Sequence, residues 1–167
     1  MHASRLTMAS WMQLSSASEK AAIVIRAPET PAEWEAYWAL RYRVLRQPWG
    51  APPGSERDEL EAVATHRIAL DTATGTVVGC GRIHRRSENT AQIRFMAVEE
   101  AYRGCGIGSR LLEELEQWAR QQGITTIVLY ARSTAIEFYR VHGYHILDKA
   151  HTLYGAIEHV LMEKHVA

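Results

Sequence analysis

The chain has 167 residues, 47% hydrophobic and 23% charged, enough for one soluble globular domain and too few for two ordinary ones. Lys plus Arg and Asp plus Glu balance at 19 each, which excludes a global charge that would recruit nucleic acid or a membrane surface. No apolar run approaches the length of a membrane span.

Residues 1–20 are rich in serine and alanine and lack a continuous apolar stretch, so they read as a mostly disordered arm rather than a secretory signal. One domain over 21–167 is the expectation. Residues 21–26 suit a first strand. Thr30, Pro31 and Glu33 combine a capping box with proline at the first helical position. Trp34, Tyr37, Trp38, Leu40, Val44 and Leu45 give the following helix a wide apolar face, with Arg41, Arg43 and Arg46 in the remainder. The aromatics read as core, with the border of an acceptor pocket as the alternative. Pro48, Gly50, Pro52, Pro53 and Gly54 make 47–54 a loop. Ser55 then reads as the cap of a short acidic helix through Ala64. Its charges, Glu56, Arg57, Asp58, Glu59 and Glu61, are expected on a solvated face; a cleft rim attracting a cationic amine is the alternative.

Residues 65–70 and 76–84 read as paired strands about a turn at 71–75. Gly79 and Gly81 inside the second mark a bulge or a close approach of another backbone. A central strand covers 92–98. Past a glycine turn, Ile107, Leu111, Leu112, Leu115, Trp118 and Ala119 recur at helical spacing, with Glu113, Glu114, Glu116, Gln117, Arg120 and Gln121 opposite. Glu116 and Arg120 stand four apart in the favourable order, and Gly123 sits where a left-handed C-terminal residue belongs. A buried strand fits 125–130. Ser133 or Thr134, with Glu137, opens a short helix ending at Gly143, and strands fit 144–148 and 157–163. Three sequential strands between helices imply an α/β (α+β) fold with a mixed sheet covered by helices.

The turn Arg103-Gly104-Cys105-Gly106-Ile107-Gly108 carries the chemistry. The first turn of a helix has amide N–H groups without internal partners and a partly positive end. Glycines at 104, 106 and 108 remove side chains that would hold a ligand away, and Arg103 adds a cation, which makes an anion site suited to a pyrophosphate. A P-loop is excluded, because Ser109-Arg110 is not a Lys-Ser/Thr pair. A dinucleotide fingerprint from Gly104 would need a third glycine at 109, where serine stands. The remaining pattern is Arg-x-x-Gly-x-Gly, and a glycine-rich connector that binds nothing is its bland reading.

This turn resembles the pyrophosphate-binding turn of the GNAT superfamily of N-acetyltransferases, and the element order over 21–163 is similar to that fold. Phe95-Met96-Ala97-Val98 before the turn, and Ala135-Ile136-Glu137-Phe138-Tyr139 running to Gly143-Tyr144, match the family where it would place them. The resemblance implies a mostly antiparallel sheet whose central strand and its neighbour splay apart. It implies acetyl-CoA as co-substrate, with pantetheine pairing along Met96, Ala97 and Val98 as an added strand. The Val98 amide would then hold oxyanion charge, and Arg103, Gly104, Cys105, Gly106, Ile107, Gly108 and Ser109 would take the pyrophosphate.

On the same resemblance Tyr139 is the expected catalytic residue, partner of the leaving thiolate. Ordinary values of about 10 for tyrosine and about 8.5 for a cysteine-like thiol make full proton transfer uphill by roughly 2 kcal/mol, so a strengthening hydrogen bond is the safer role. Neutralising a lysine-type amine at pH 7 costs about 4–5 kcal/mol, an α-amino group only about 1. Many relatives meet this with a glutamate near the start of the central strand, where this chain has Gln92. Strand alternation places Gln92, Arg94 and Met96 on one face, so Gln92 and Arg94 are expected at the acceptor, with His84, His159 or water as base. His142 and His145 straddle a helix end, and no metal spacing accompanies the eight histidines. Cys105 in an anion-binding turn is a minor candidate for a covalent route. Cys80 and Cys105 fit a reducing compartment, hence a cytoplasmic enzyme.

The expected reaction is direct acetyl transfer to a primary amine, on a small molecule or a peptide, without nucleic acid, membrane or metal. The sequence leaves room for a homodimer. An acyl-CoA-binding sensor without turnover is the alternative that Gln92 keeps open.

Overall fold

The computed structural model describes residues 22–153 and 157–167, without the side chains of 149–153 and 157. The expected arm over 1–20 lies outside the described residues. Seven strands form one sheet: β1 Ile23–Arg26, β2 Thr65–Asp71, β3 Thr76–Arg85, β4 Thr90–Val98, β5 Thr126–Arg132, β6 His145–Leu153 and β7 Ile157–His165. Among the described residues three α-helices cover it, α1 Pro31–Leu45, α2 Ile107–Gln121 and α3 Ile136–Val141. The sheet order is β1-β2-β3-β4-β5-β7-β6, antiparallel everywhere except between β4 and β5. A mixed sheet flanked by helices is the arrangement the element order implied, and its mostly antiparallel pairing is what the resemblance implied.

Helix α1 starts where its signals stand. Thr30 Oγ1 accepts the Glu33 N–H at 3.1 Å, and the Glu33 carboxylate accepts the Glu29 N–H at 2.8 Å. Tyr37, Leu40 and Leu45 pack with Ile68, Cys80, Phe95 and Ala97 on one face of the sheet. On the other face, α2 buries Leu112, Leu115 and Ala119 with Ile83, Ile93 and Ile127, and α3 adds Tyr139 to the same cluster. Gly123 closes α2 at φ 74 as expected. Glu116, read as part of the polar face, is instead buried. It accepts from Lys164 Nζ at 3.0 and 3.1 Å and from the Tyr144 hydroxyl at 3.1 Å. Those partners lie on β7 and just before β6, out of reach of a helical-spacing argument.

Two further expectations are corrected. Residues 55–64 form turns rather than a helix, and the Asp58 and Glu61 carboxylates turn inward to arginines instead of along a helical face. The helix expected from Ser133 begins as a short 3₁₀ turn, Ser133–Ala135, and becomes α-helical at Ile136 with no side-chain cap at either start.

The central strand carries the largest departure from simple alternation. Cys80 pairs with Ala97 and Arg82 with Arg94, so Gly81 alone faces both Phe95 and Met96. Phe95 has φ 57, the left-handed region that a non-glycine residue rarely occupies. This bulge returns Phe95 to the α1 face beside Arg94 and sends Met96 to the α2 face. Met96 therefore does not share a face with Gln92 and Arg94. Gly81 makes the room, since a Cβ there would lie 2.6 Å from Met96 Sδ and 2.9 Å from Leu115 Cδ1. Both glycines of β3 are thus approached by side chains rather than by another backbone, and the expected bulge is present.

A bulge bends its strand. Strands β4 and β5 pair from Thr90↔Thr126 to Ile93↔Leu129 only. Beyond that point β4 follows β3 to Val98, and β5 follows β7 to Arg132. The two diverge, and the wedge between them is where the site lies.

Candidate active site

Two clefts, each of about 470 Å³, open on the wedge and share Met96, Ala135 and Tyr139 in their linings. The first runs along the β4 end and the glycine turn, lined by Met96, Ala97, Val98, Arg103, Gly104, Gly106, Ile107, Gly108 and Ser109, with Phe138 and Tyr139 opposite. The residues expected at a cofactor thus come together, except Cys105. Cys105 is exposed and outside this lining, which leaves the covalent route without a geometry. Cys80 is buried, and burial pushes its thiol up to about 12, so it is inert.

The turn is built for exposed amides. Gly104 and Gly106 hold φ 76 and 81, and a Cβ on either would meet nothing within 4 Å. Gly106 is the N-cap of α2 and brings no side-chain cap, and the first turn contains no acid. Arg110 N–H is the first to reach back, to Gly106 O at 3.1 Å, so the amides of 107–109 face outward without helical partners. Gly108 has another reason: a Cβ there would stand 3.3 Å from the Phe138 ring. His142 locks α3 to this turn. Its Nδ1–H donates to Phe138 O at 2.7 Å, which leaves Nε2 to accept the Ser109 hydroxyl at 2.9 Å.

Along β4, Glu99 N–H donates to Val78 O of β3 at 2.8 Å. Successive amides alternate in direction, so the Val98 N–H points away from β3 into the wedge. Arg103 Nε donates to Val98 O at 3.1 Å and ties the turn to the strand end.

Tyr139 is buried, with its ring edge-on to Phe138 and Tyr144 at centroid distances of 5.0 and 5.7 Å. Among the described residues no hydrogen-bond partner takes its hydroxyl. Burial raises the phenol well above the ordinary tyrosine value, against a smaller lowering by the Arg132 charge.

The second cleft is lined by Gln92, Arg94 and His159, with Arg46, Ser55, Tyr130 and Arg132 around them. Gln92 and Arg94, the residues expected at the acceptor, both line this cleft. His159 lines this cleft and His84 does not, so of the two candidate bases only His159 faces the wedge. His84 is buried with Nδ1 unpartnered among the described residues, and burial, aided by Arg82, lowers its pKa.

A charged network that the sequence reading missed supports this cleft. Arg82 is fully buried and donates to Asp58 at 2.6 and 2.9 Å and to Glu61 at 2.6 Å. Arg94 donates to the same Asp58 at 2.6 Å, and buried Arg41 to Glu61 at 2.7 Å. Arg41 also donates to the Tyr37 hydroxyl, which donates to His66 Nδ1 at 2.8 Å, while His66 Nε2–H donates to Glu61 O at 2.9 Å. Asp58 and Glu61 therefore do not form a solvated face; they are paired with arginines instead. Aromatic rings help to hold the buried arginine, since the Arg41 guanidinium lies 4.3 Å from the centroids of both Tyr37 and Phe95. Among the described residues no group of three or more His, Cys, Asp or Glu is placed to hold a metal, and no helix is long and apolar enough to cross a membrane.

The family model for the acetyltransferase (GNAT) family matches residues 27–144. A Bacillus subtilis (strain 168) protein named as the uncharacterized N-acetyltransferase YjcF is 30% identical over 125 residues, covering 75% of this chain and 87% of that one. An aminoglycoside 6'-N-acetyltransferase solved with coenzyme A superposes with a TM-score of 0.71 at 17% identity, over 87% of this chain and 97% of that one. A GNAT family acetyltransferase from Elizabethkingia anophelis with acetyl-CoA bound gives 0.67 at 17% identity, over 86% and 98%. The structural likenesses carry the fold, and the sequence matches carry the kinship: this chain belongs to the GNAT family of acetyltransferases.

Proposed function

We propose that the protein transfers an acetyl group from acetyl-CoA to a primary amine by direct attack. The observation that carries this is the meeting of the two clefts at Tyr139, one ending in unpartnered amides and the other open to an acceptor. The amides of 107–109, with Arg103, suit the pyrophosphate, and the free edge of β4 around Met96, Ala97 and Val98 suits pantetheine. The amine nitrogen attacks the thioester carbon while the Val98 N–H takes the developing oxyanion. As the tetrahedral intermediate collapses the carbon–sulfur bond breaks and the thiolate leaves toward the Tyr139 hydroxyl. The proton lost from nitrogen goes to His159 or to solvent. Coenzyme A bound to relatives of the same fold supports the choice of donor.

A panel of primary amines, peptides included, tests the reading through acceptor-dependent thiol release from acetyl-CoA. Release with at least one amine is the expected result. Calorimetric binding of coenzyme A without release under any amine would favour a silent acyl-CoA sensor, the reading that Gln92 in place of an acid supports.

Gly106→Val is expected to weaken coenzyme A binding at least tenfold by calorimetry. A β-branched residue at φ 81 is strained by about 1–3 kcal/mol and tilts the amides it should free. Unchanged affinity in a folded variant would move the pyrophosphate elsewhere.

A further inference from the structure

Resting on the transfer reading above, we infer that the acceptor is an amine that also bears an oxyanion, a carboxylate or phosphate, clamped by Arg46 and Arg94 in the wedge between β4 and β5. The lining of the acceptor cleft contains three arginines, Arg46, Arg94 and Arg132, and no carboxylate. Two of them converge on one backbone oxygen. Arg46 Nη1 donates to Leu45 O at 3.1 Å and Arg132 Nη2 donates to the same oxygen at 2.9 Å, at the last residue of α1. Arg46 gives its Nε to Ser55 O at 3.1 Å, so both of these hydrogen bonds go to neutral carbonyls. Among the described residues no carboxylate pairs with it.

The Phe95 bulge brings the second clamp into line. Arg46 and Arg94 lie against the same ring, at 5.4 and 4.6 Å from its centroid, together with Arg41 and Arg82 at 4.3 and 4.9 Å. Two carboxylates, Asp58 and Glu61, answer Arg41, Arg82 and Arg94, and Asp58 is shared by Arg82 and Arg94. Arg94 lines the cleft and spends Nη1 on Asp58, and burial, with the charges of Arg82, Arg46 and Arg41 and against that of Asp58, works against its own protonation. Such crowding of like charge is relieved by an anion, which guanidinium groups take through paired, charge-assisted hydrogen bonds. The same field rejects an acceptor with a second cation. It also disfavours the ammonium form of the reacting amine, which lowers the cost of reaching the nucleophile in a site whose Gln92 supplies no base.

Matched acceptors test the assignment with the full-length protein and saturating acetyl-CoA. Amino acids are compared with their amides, ethanolamine phosphate with ethanolamine, and spermidine stands as the dicationic arm. The expected result is a kcat/KM about tenfold or more higher for the anionic member of a pair. The carboxylate and phosphate arms decide which oxyanion fits. Arg46→Gln and Arg94→Gln should each narrow that ratio mainly through KM, and Arg67→Gln, whose partner Glu114 is 3.5 Å away on α2, should leave it intact. Equal rates within the pairs, a preference for spermidine, or a ratio that survives in both Arg46→Gln and Arg94→Gln overturns the inference. If no amine releases thiol although coenzyme A binds, transfer fails and the anion site is judged separately. Thermal stabilisation of the acetyl-CoA complex by succinate or inorganic phosphate, lost in Arg46→Gln, then sustains it, and absence of that stabilisation ends it.

Discussion

Asp58→Ala is expected to destabilise the protein by about 3–5 kcal/mol, because it leaves buried guanidinium groups facing one another with one carboxylate fewer. Arg82 has no solvent to turn to; its side chain is fully buried, and Asp58 receives two of its hydrogen bonds. For a chain of this size the loss corresponds to a fall in melting temperature of roughly 10 °C. The pH dependence gives the sign. Burial alone would raise the Asp58 carboxyl, but hydrogen bonds from Arg82 and the Leu60 N–H, with the charges of Arg82 and Arg94, bring it down to about 2. A carboxyl depressed on folding contributes stability that is full above the unfolded value of about 3.9 and is lost as pH falls toward 2. Urea melts between pH 6 and pH 2 should therefore show a constant gap between parent and variant above about pH 4, closing below it. A gap that never exceeds a few tenths of a kcal/mol would mean that the network is solvated and contributes nothing.

That network also marks the boundary of what the sequence discloses. Glycine turn and amphipathic helix are local, so Gly106, Gly108 and the Leu111–Leu115 stripe could be read from spacing alone. The paired carboxylates could not. Asp58 meets Arg82 and Arg94, 24 and 36 residues away, and a run of acids with no visible partner reads as solvent-facing. Glu116 failed in the same way, since Lys164 lies 48 residues on. Alternation along β4 failed for a different reason. The period of two holds through Arg94 and breaks at Phe95, where an aromatic residue gives no warning of a left-handed φ. The only local hint was Gly81 on the neighbouring strand, which predicts a bulge without saying which residue of the partner is displaced. The glycine-turn residues expected at a cofactor lie after that break, and all but Cys105 line one cleft because the turn does not depend on strand alternation.

Tyr139→Phe is expected to lower kcat about 10- to 100-fold while leaving coenzyme A affinity within twofold. The range is that of one hydrogen bond to a charged group, roughly 1.5–3 kcal/mol. Phenylalanine preserves the ring that packs edge-on to Phe138 and Tyr144, so the change removes the hydroxyl and little else. Burial raises the Tyr139 phenol, and Arg132 offsets only part of that. Full proton transfer to the departing sulfur is then uphill by more than the roughly 2 kcal/mol that ordinary values give, unless the thiolate is desolvated to the same degree. In the proposed reaction the hydroxyl is therefore a neutral donor, whose bond strengthens as charge builds on sulfur. Two readings separate this from proton donation. The pH–rate profile of the parent should carry no limb below about pH 10 that the Phe variant loses. An acyl donor with a more acidic thiol leaving group should shrink the penalty, since less charge on sulfur needs support. A variant with unchanged kcat would remove Tyr139 from the chemistry and leave it as a packing residue between α3 and the sheet.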